Sequence, residues 1–287
     1  MISKRSTNSS ESSIKYFIIQ AISSLIFISA RLIMIYSSSL FFSNQINYLI
    51  SIAIAIKIGA APFHFWFPQI VGICSWPVSL FIITWQKVAP IFIIAFSQTK
   101  IIFLVVIISA LTGAIGGLNQ LRLKKIMAYS SIAHLAWLIM ALSLNMIIWL
   151  VYFTVYTIIA SGIIIIFFFL NINYINDLSK QQLHRPLKII LAFNIFSIAG
   201  LPPFLGFLIK IIVIDYILIN ELFFLTIFLI VSSIISLYFY SRINYSLIFL
   251  SLTPIKIKST FKNKIPSTLP IISILLNCAA PIIYTLY

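Results

Sequence analysis

The stretch from Met146 to Leu170 carries no charge and ends I-I-I-I-F-F-F-L, the most uniformly apolar part of the sequence. About 20 apolar residues is the length that crosses a bilayer as a helix, and such runs recur along the chain. This recurrence constrains the fold more than any motif does. With 62% hydrophobic and 8% charged residues, the chain lacks the charge a soluble domain needs to cover its surface. Alternating strands of about ten residues, the mark of a membrane barrel, do not occur. The reading is all-α: a polytopic transmembrane helix bundle of about nine spans, two of them discontinuous.

The spans fall at Ile14–Tyr36, Asn47–Phe67, Trp76–Ser97, Ile101–Leu118, Lys125–Leu144, Met146–Leu170, Leu187–Ile219, Leu222–Tyr240 and Leu269–Leu286. Residues 1–13 are polar and serine-rich and read as a tail, with part of a transit peptide as the alternative. Residues 14–287 read as a single transmembrane domain with a basic loop at 241–267. The second span contains Lys57–Pro68, K-I-G-A-A-P-F-H-F-W-F-P. The seventh is too long for one straight crossing and contains G-L-P-P at Gly200–Pro203, then Gly206. Glycine and proline free backbone groups, which a membrane tolerates only where protein or a wet cavity satisfies them. A broken helix with a charge at the break is how many transporters build a central site, and paired breaks of opposite polarity mark an inverted repeat. Here the lysine precedes the break in the second span and follows it in the seventh.

A net charge of +15 would suggest nucleic acid in a soluble protein, but most of these charges lie in loops and report topology. With nine spans, the N-terminal side collects Lys4 and Arg5, the cluster Arg122, Lys124 and Lys125, then Lys180, Arg185 and Lys188. The last basic loop, with Arg242, Lys256, Lys258, Lys262 and Lys264, faces that side too. The opposite side has Lys100, with Arg31 near a span end. Such asymmetry makes the N-terminal side the inside compartment. The run K-I-K-S-T-F-K-N-K reads either as a contact for anionic lipid heads or as a solvated loop. Cys74 and Cys278 sit far apart in apolar surroundings, so neither a disulfide nor a metal site is expected.

Three lysines remain inside spans. Counted along the helix, Lys57, Lys87 and Lys210 lie about 15 Å from the ends of theirs, near the middle of a hydrocarbon core of about 30 Å. Intramembrane lysines are costly and mark ion paths by default. Burial disfavours an ammonium ion, so a buried lysine can exchange a proton when a neighbouring charge moves. The competing reading makes each lysine a structural group paired with a carboxylate or with backbone carbonyls. Acids are scarce for that role: Glu11, Asp177 and Glu221 fall in tail or loops, and Asp215 follows Lys210 toward the helix end. His134, within the fifth span, suits either a proton relay between lysines or a neutral core histidine. His64 reads as a helix-end group, and His184 lies in a basic loop. No phosphate loop, dinucleotide fingerprint or metal-ligand cluster occurs.

The blocks K-I-G-A-A-P-F-H-F-W-F-P, T-W-Q-K-V-A-P, G-A-I-G-G-L-N-Q-L-R-L-K-K-I-M-A-Y-S-S-I-A-H-L-A-W and G-L-P-P-F-L-G-F-L-I-K resemble, in the same order, the subunit 2 family of mitochondrial NADH–ubiquinone oxidoreductase. They cover the chain from about Ile14 to Tyr240, and the isoleucine- and phenylalanine-rich composition fits an AT-rich mitochondrial genome. The resemblance implies an antiporter-like inverted-repeat fold and a place in the membrane arm of respiratory complex I. It implies other membrane-arm subunits and the bilayer as partners, and the mitochondrial inner membrane as location, with the N-terminus and basic loops in the matrix. Lys57, Lys87 and Lys210 then match the family's proposed proton-translocation residues. Lys57 would be modulated by charge from the neighbouring unit, Lys87 would be central, and Lys210 would lie toward the next subunit. NADH, flavin, iron–sulfur clusters and ubiquinone would sit on other subunits, with no cofactor on this chain.

Two departures from the family pattern stand out. Relatives carry about two further N-terminal spans, with a membrane glutamate that pairs with the lysine at the Lys57 position, and they often have an acid at the position of Gln69. The sequence is therefore expected to be either a partial record or a shortened subunit in which the glutamate–lysine switch is missing. Two other functions compete with proton translocation in complex I: a free-standing cation/proton antiporter, and a structural membrane-arm subunit that does not conduct.

Overall fold

The computed structural model of the chain describes residues 7–36, 40–96, 99–180 and 185–248. Twelve helices account for nearly all of them, and no strand occurs among the described residues. The first span is α1 (Thr7–Tyr36). The second is α2 (Leu40–Ile58) and, after a break, α3 (Trp66–Ile73). The third divides into α4 (Trp76–Ile83) and α5 (Trp85–Phe96). The fourth, fifth and sixth are α6 (Ile101–Leu118), α7 (Leu123–Leu144) and α8 (Met146–Phe169). A short α9 (Ile175–Lys180) follows. The seventh span is α10 (Arg185–Ala199) and α11 (Leu205–Ile219), and the eighth is α12 (Phe223–Ile248). The expected ninth span, Leu269–Leu286, lies outside the described residues.

Several boundaries differ from the sequence reading, and the second span begins at Leu40 and ends at Ile73 where Asn47 and Phe67 were expected. The polar tail is helical from Thr7, and Glu11 and Lys15 form an exposed ion pair one turn apart on it, the spacing that supports a helix end. The eighth span runs to Ile248, so the first part of the expected basic loop at 241–267 is helix. The third span is interrupted at Thr84, whose hydroxyl donates to Leu80 O at 2.8 Å. Such back-bonding competes with the helix ladder, and Pro90 six residues on lacks the N–H that would continue it.

The axis of the bundle is α7. It is buried along nearly its whole length, and α3, α6, α8, α11 and α12 pack around it. Glycine makes the tightest of these contacts. A Cβ on Gly113 of α6 would stand 2.5 Å from the Ala133 backbone nitrogen, so the two helices meet backbone to backbone. Gly117 leaves comparable room for the Phe239 ring of α12. Small residues at such crossings are the usual means of close approach where the hydrophobic effect does not drive helices together.

The turns expected on one side of the membrane meet each other. Leu123 N donates to Asn173 O and Ile175 N to Leu121 O, joining the turns after α6 and α8. Lys124 Nζ donates to Cys74 O at 2.7 Å, and Arg242 donates to Gln120 O at 2.6 Å. The ends of the second, fourth, sixth and eighth spans therefore share one face, as alternate crossings require.

Candidate functional site

The two broken spans are built alike. In α2 the chain stops at Gly59, φ +76°, and in α10 at Gly200, φ +80°. Gly59 N donates to Ala55 O and Ala60 N returns to the same oxygen; Gly200 N and Leu201 N do the same with Phe196 O. This is a left-handed glycine cap of the Schellman kind, where a Cβ would be strained. A cis X–Pro bond follows three residues after each glycine, at Ala61–Pro62 and Pro202–Pro203. The second and seventh spans cross in opposite directions, so the same device is inverted across the membrane.

Each break delivers a group to a lysine. After the first, α3 places the Phe67 ring against Lys87, with Nζ 5.1 Å from the ring centre. After the second, α11 carries Lys210 back over the break, where Nζ donates to Ala199 O at 3.0 Å and lies 5.7 Å from the Trp137 ring centre. Lys87 donates to Ser131 O on α7 at 2.8 Å. Both ammonium groups are almost fully buried, at 2% and 6% exposure. Among the described residues, the one ion pair is the exposed Glu11–Lys15. Carbonyl oxygens and ring faces, not carboxylates, hold these two lysines.

His134 stands between them on α7. Its Nδ1 lies 3.0 Å from the Tyr152 hydroxyl, its ring lies tilted against Tyr156 with centres 4.9 Å apart, and it faces the Ile198 backbone beside the second break. Lys87 and Lys210 both act on it electrostatically. A cavity of about 20 Å³ adjoins His134, Tyr152, Tyr156 and Ser197, the size that holds one water. Ser131, His134 and Trp137 recur every three residues on α7, so one helix carries a contact for Lys87, the histidine and a contact for Lys210. The structure thus brings Lys87, His134 and Lys210 into one buried polar row.

Lys57 sits apart from that row. It is half-buried in the last turn of α2, and its carbonyl accepts from Gln20 Nε2 at 3.1 Å. Through α2 it packs beside α5, which carries Lys87. On α1, Tyr16 donates to Gln86, the neighbour of Lys87, so α1 fastens both lysine-bearing helices one turn apart. His64 lies buried at the end of the first break, where its carbonyl accepts from Phe67 N at the start of α3, the helix-end place expected for it. His184 lies outside the described residues. A larger cavity of about 340 Å³ opens among the turns at the opposite end, near Lys100 and Asn220, and touches none of these groups.

The tyrosines escaped the sequence reading. Tyr152 and Tyr156, one turn apart on α8, look like ordinary aromatic residues in an apolar helix. Their i, i+4 spacing was the available signal.

A family model described as "NADH:quinone oxidoreductase/Mrp antiporter, TM" matches residues 1–236. The chain belongs to this family. NADH-ubiquinone oxidoreductase chain 2 of Anopheles gambiae is 38% identical over 272 residues, which covers 92% of this chain and 80% of that protein. The Locusta migratoria chain 2 is 35% identical over 278 residues, covering 92% and 79%. Among solved structures, respiratory complex I from Thermus thermophilus with bound aureothin superposes with TM-score 0.80 at 22% identity, over 97% of this chain and 68% of the matched chain. A chain of an Mrp complex from a Dietzia species gives 0.74 at 18% identity, over 84% and 51%. The fold is therefore the antiporter-like inverted-repeat fold expected from the blocks quoted above.

Proposed function

We propose that protons cross this subunit along Lys87, His134 and Lys210, with Lys57 setting the state of the row from its edge. The chain is a core membrane-arm subunit of respiratory complex I and takes part in proton translocation coupled to electron transfer from NADH to ubiquinone. The observation that carries the lysine assignment is the row itself: two buried amines without a carboxylate, flanking a histidine on one helix. A lysine held by a neutral carbonyl can lose its proton without leaving a buried anion behind. The glycine breaks supply the carbonyl for Lys210 and the ring face for Lys87, so a shift at either break alters how well its ammonium is held.

In this reading the chain binds no redox group, and NADH, flavin, iron–sulfur clusters and ubiquinone belong to other subunits. Its partners are other membrane-arm subunits and the lipid of the mitochondrial inner membrane. The basic face carrying Arg122, Lys124 and Arg242 is the matrix side. A structural, non-conducting role has one observation in its favour: both buried lysines already have backbone partners. The two readings part in the assembled complex reconstituted in vesicles, where protons moved per electron are measured. Lys87→Met is expected to lower that ratio while NADH oxidation continues. An unchanged ratio supports the structural role and removes Lys87 from the path.

A further inference from the structure

The row described so far ends inside the protein, and α12 offers the connection to the basic face. Tyr240 is 1% exposed and sits beside the row: its hydroxyl faces Ser130 on α7, and Tyr152 and Tyr156 lie near it. Ser130 spends its own hydroxyl proton on Met127 O, and the Tyr240 oxygen has no partner within good hydrogen-bond geometry. One turn further along α12, Asn244 is 2% exposed, and neither its Nδ2 nor its Oδ1 has a partner among the described residues. Two residues before it, Arg242 reaches the Gln120 carbonyl in the turn between α6 and α7. Asn244 therefore lies one turn nearer the basic face than Tyr240, level with or just past Arg242.

A buried amide offers two donors and two acceptor sites. Leaving all of them unused costs more than packing an apolar side chain there. Such a residue in a native protein normally marks bound water or a polar ligand. Tyr240 and Asn244 are four residues apart on one helix face, so water held by the amide lies within reach of the phenol one turn away.

We propose that Tyr240 and Asn244 form a branch of the polar row along α12, holding the water through which protons pass between Ser130 and the basic face. In each hop a proton moves along a hydrogen bond from one water or hydroxyl oxygen to the next. Asn244 orients the water and gives up no proton of its own, so it is a positioning residue. The inference rests on the proton-path reading given above, and its test is arranged so that the two fail separately.

The test measures protons moved per electron in reconstituted complex carrying Asn244→Leu, Asn244→Ser or Lys87→Met, alongside a map of the unmodified complex that resolves water. Asn244→Leu is expected to lower the ratio at least about twofold with NADH oxidation retained, and Asn244→Ser, which still binds water, is expected to recover most of it. The map should show ordered water against the Asn244 amide and the Tyr240 hydroxyl. If Asn244→Leu assembles and the ratio is unchanged while Lys87→Met lowers it, the branch is overturned and the lysine row stands. If both variants leave the ratio unchanged, both readings fall. If Asn244→Leu does not assemble, the map decides: an amide satisfied by protein atoms, with no water, overturns the branch.

Discussion

The two breaks share one construction and use it differently. Both close with a left-handed glycine, the same pair of backbone bonds and a cis proline three residues on. At the second break the lysine lies within the site: Lys210 sits against Gly200, is buried, and is bonded to the carbonyl that the break frees. At the first, Lys57 precedes the glycine, stays half-buried, and is fastened from outside through its own carbonyl by Gln20 of α1. The difference teaches that a glycine–proline break does not by itself make a lysine site. Which side of the break the lysine stands on decides whether its ammonium can reach the freed carbonyl.

The largest effect that tests this contrast is on packing. A Cβ at Gly206, just after the second break, would fall 1.7 Å from Ser197 O, a backbone atom, so α10 and α11 must part. Gly206→Ala should cost about 3 kcal/mol or more, at the upper end of overpacking. At the first break, a Cβ at Gly59 meets the side chains of Phe67 and Trp66 at 3.1–3.2 Å, which can shift. Gly59→Ala should cost about 1–2 kcal/mol, mostly from its left-handed backbone. Thermal inactivation of the assembled complex ranks the two, and the reverse order would break the comparison.

A smaller effect separates the lysines. Lys210→Met leaves the Ala199 carbonyl unpaired, a loss of about 1–3 kcal/mol partly offset by removing a buried charge. Among the described residues the Lys57 ammonium makes no hydrogen bond, so Lys57→Met should change stability by no more than about 0.5 kcal/mol. The same thermal assay reads both, and equal losses would mean that Lys57 is held as firmly as Lys210. An effect between these two is expected at Gln20. Gln20→Leu removes one half-buried bond, about 0.5–1.5 kcal/mol, and hydrogen exchange should quicken at the first break while the second is unchanged.

Much of this was legible before any coordinates. The eight spans that fall within the described residues follow from apolar runs, and both glycine–proline breaks from composition alone. The depth of Lys87 and Lys210 follows from counting residues along each helix. The interruption at Thr84 was not legible, because threonine is tolerated inside helices and its own N–H keeps the ladder bond to Leu80 O; the break shows only in the tighter bond from Lys87 N to Thr84 O. Nor were the tyrosines and Asn244, since a polar residue in an apolar helix declares its role through what faces it, and that depends on helix rotation. The helical tail at Thr7–Ser13 was missed for a plainer reason: serine-rich sequence favours non-helical states, and here it continues the apolar helix that follows it.

The central claim is that Lys87 and Lys210 belong to one path in series through His134. The most direct test is a double-mutant cycle on protons moved per electron, with Lys87→Met, Lys210→Met and both together in the reconstituted complex. In a series path either block closes the whole route, so the double variant should lose no more than the larger single loss. Losses that add would contradict the account and mean that the two lysines serve separate routes or separate structural roles.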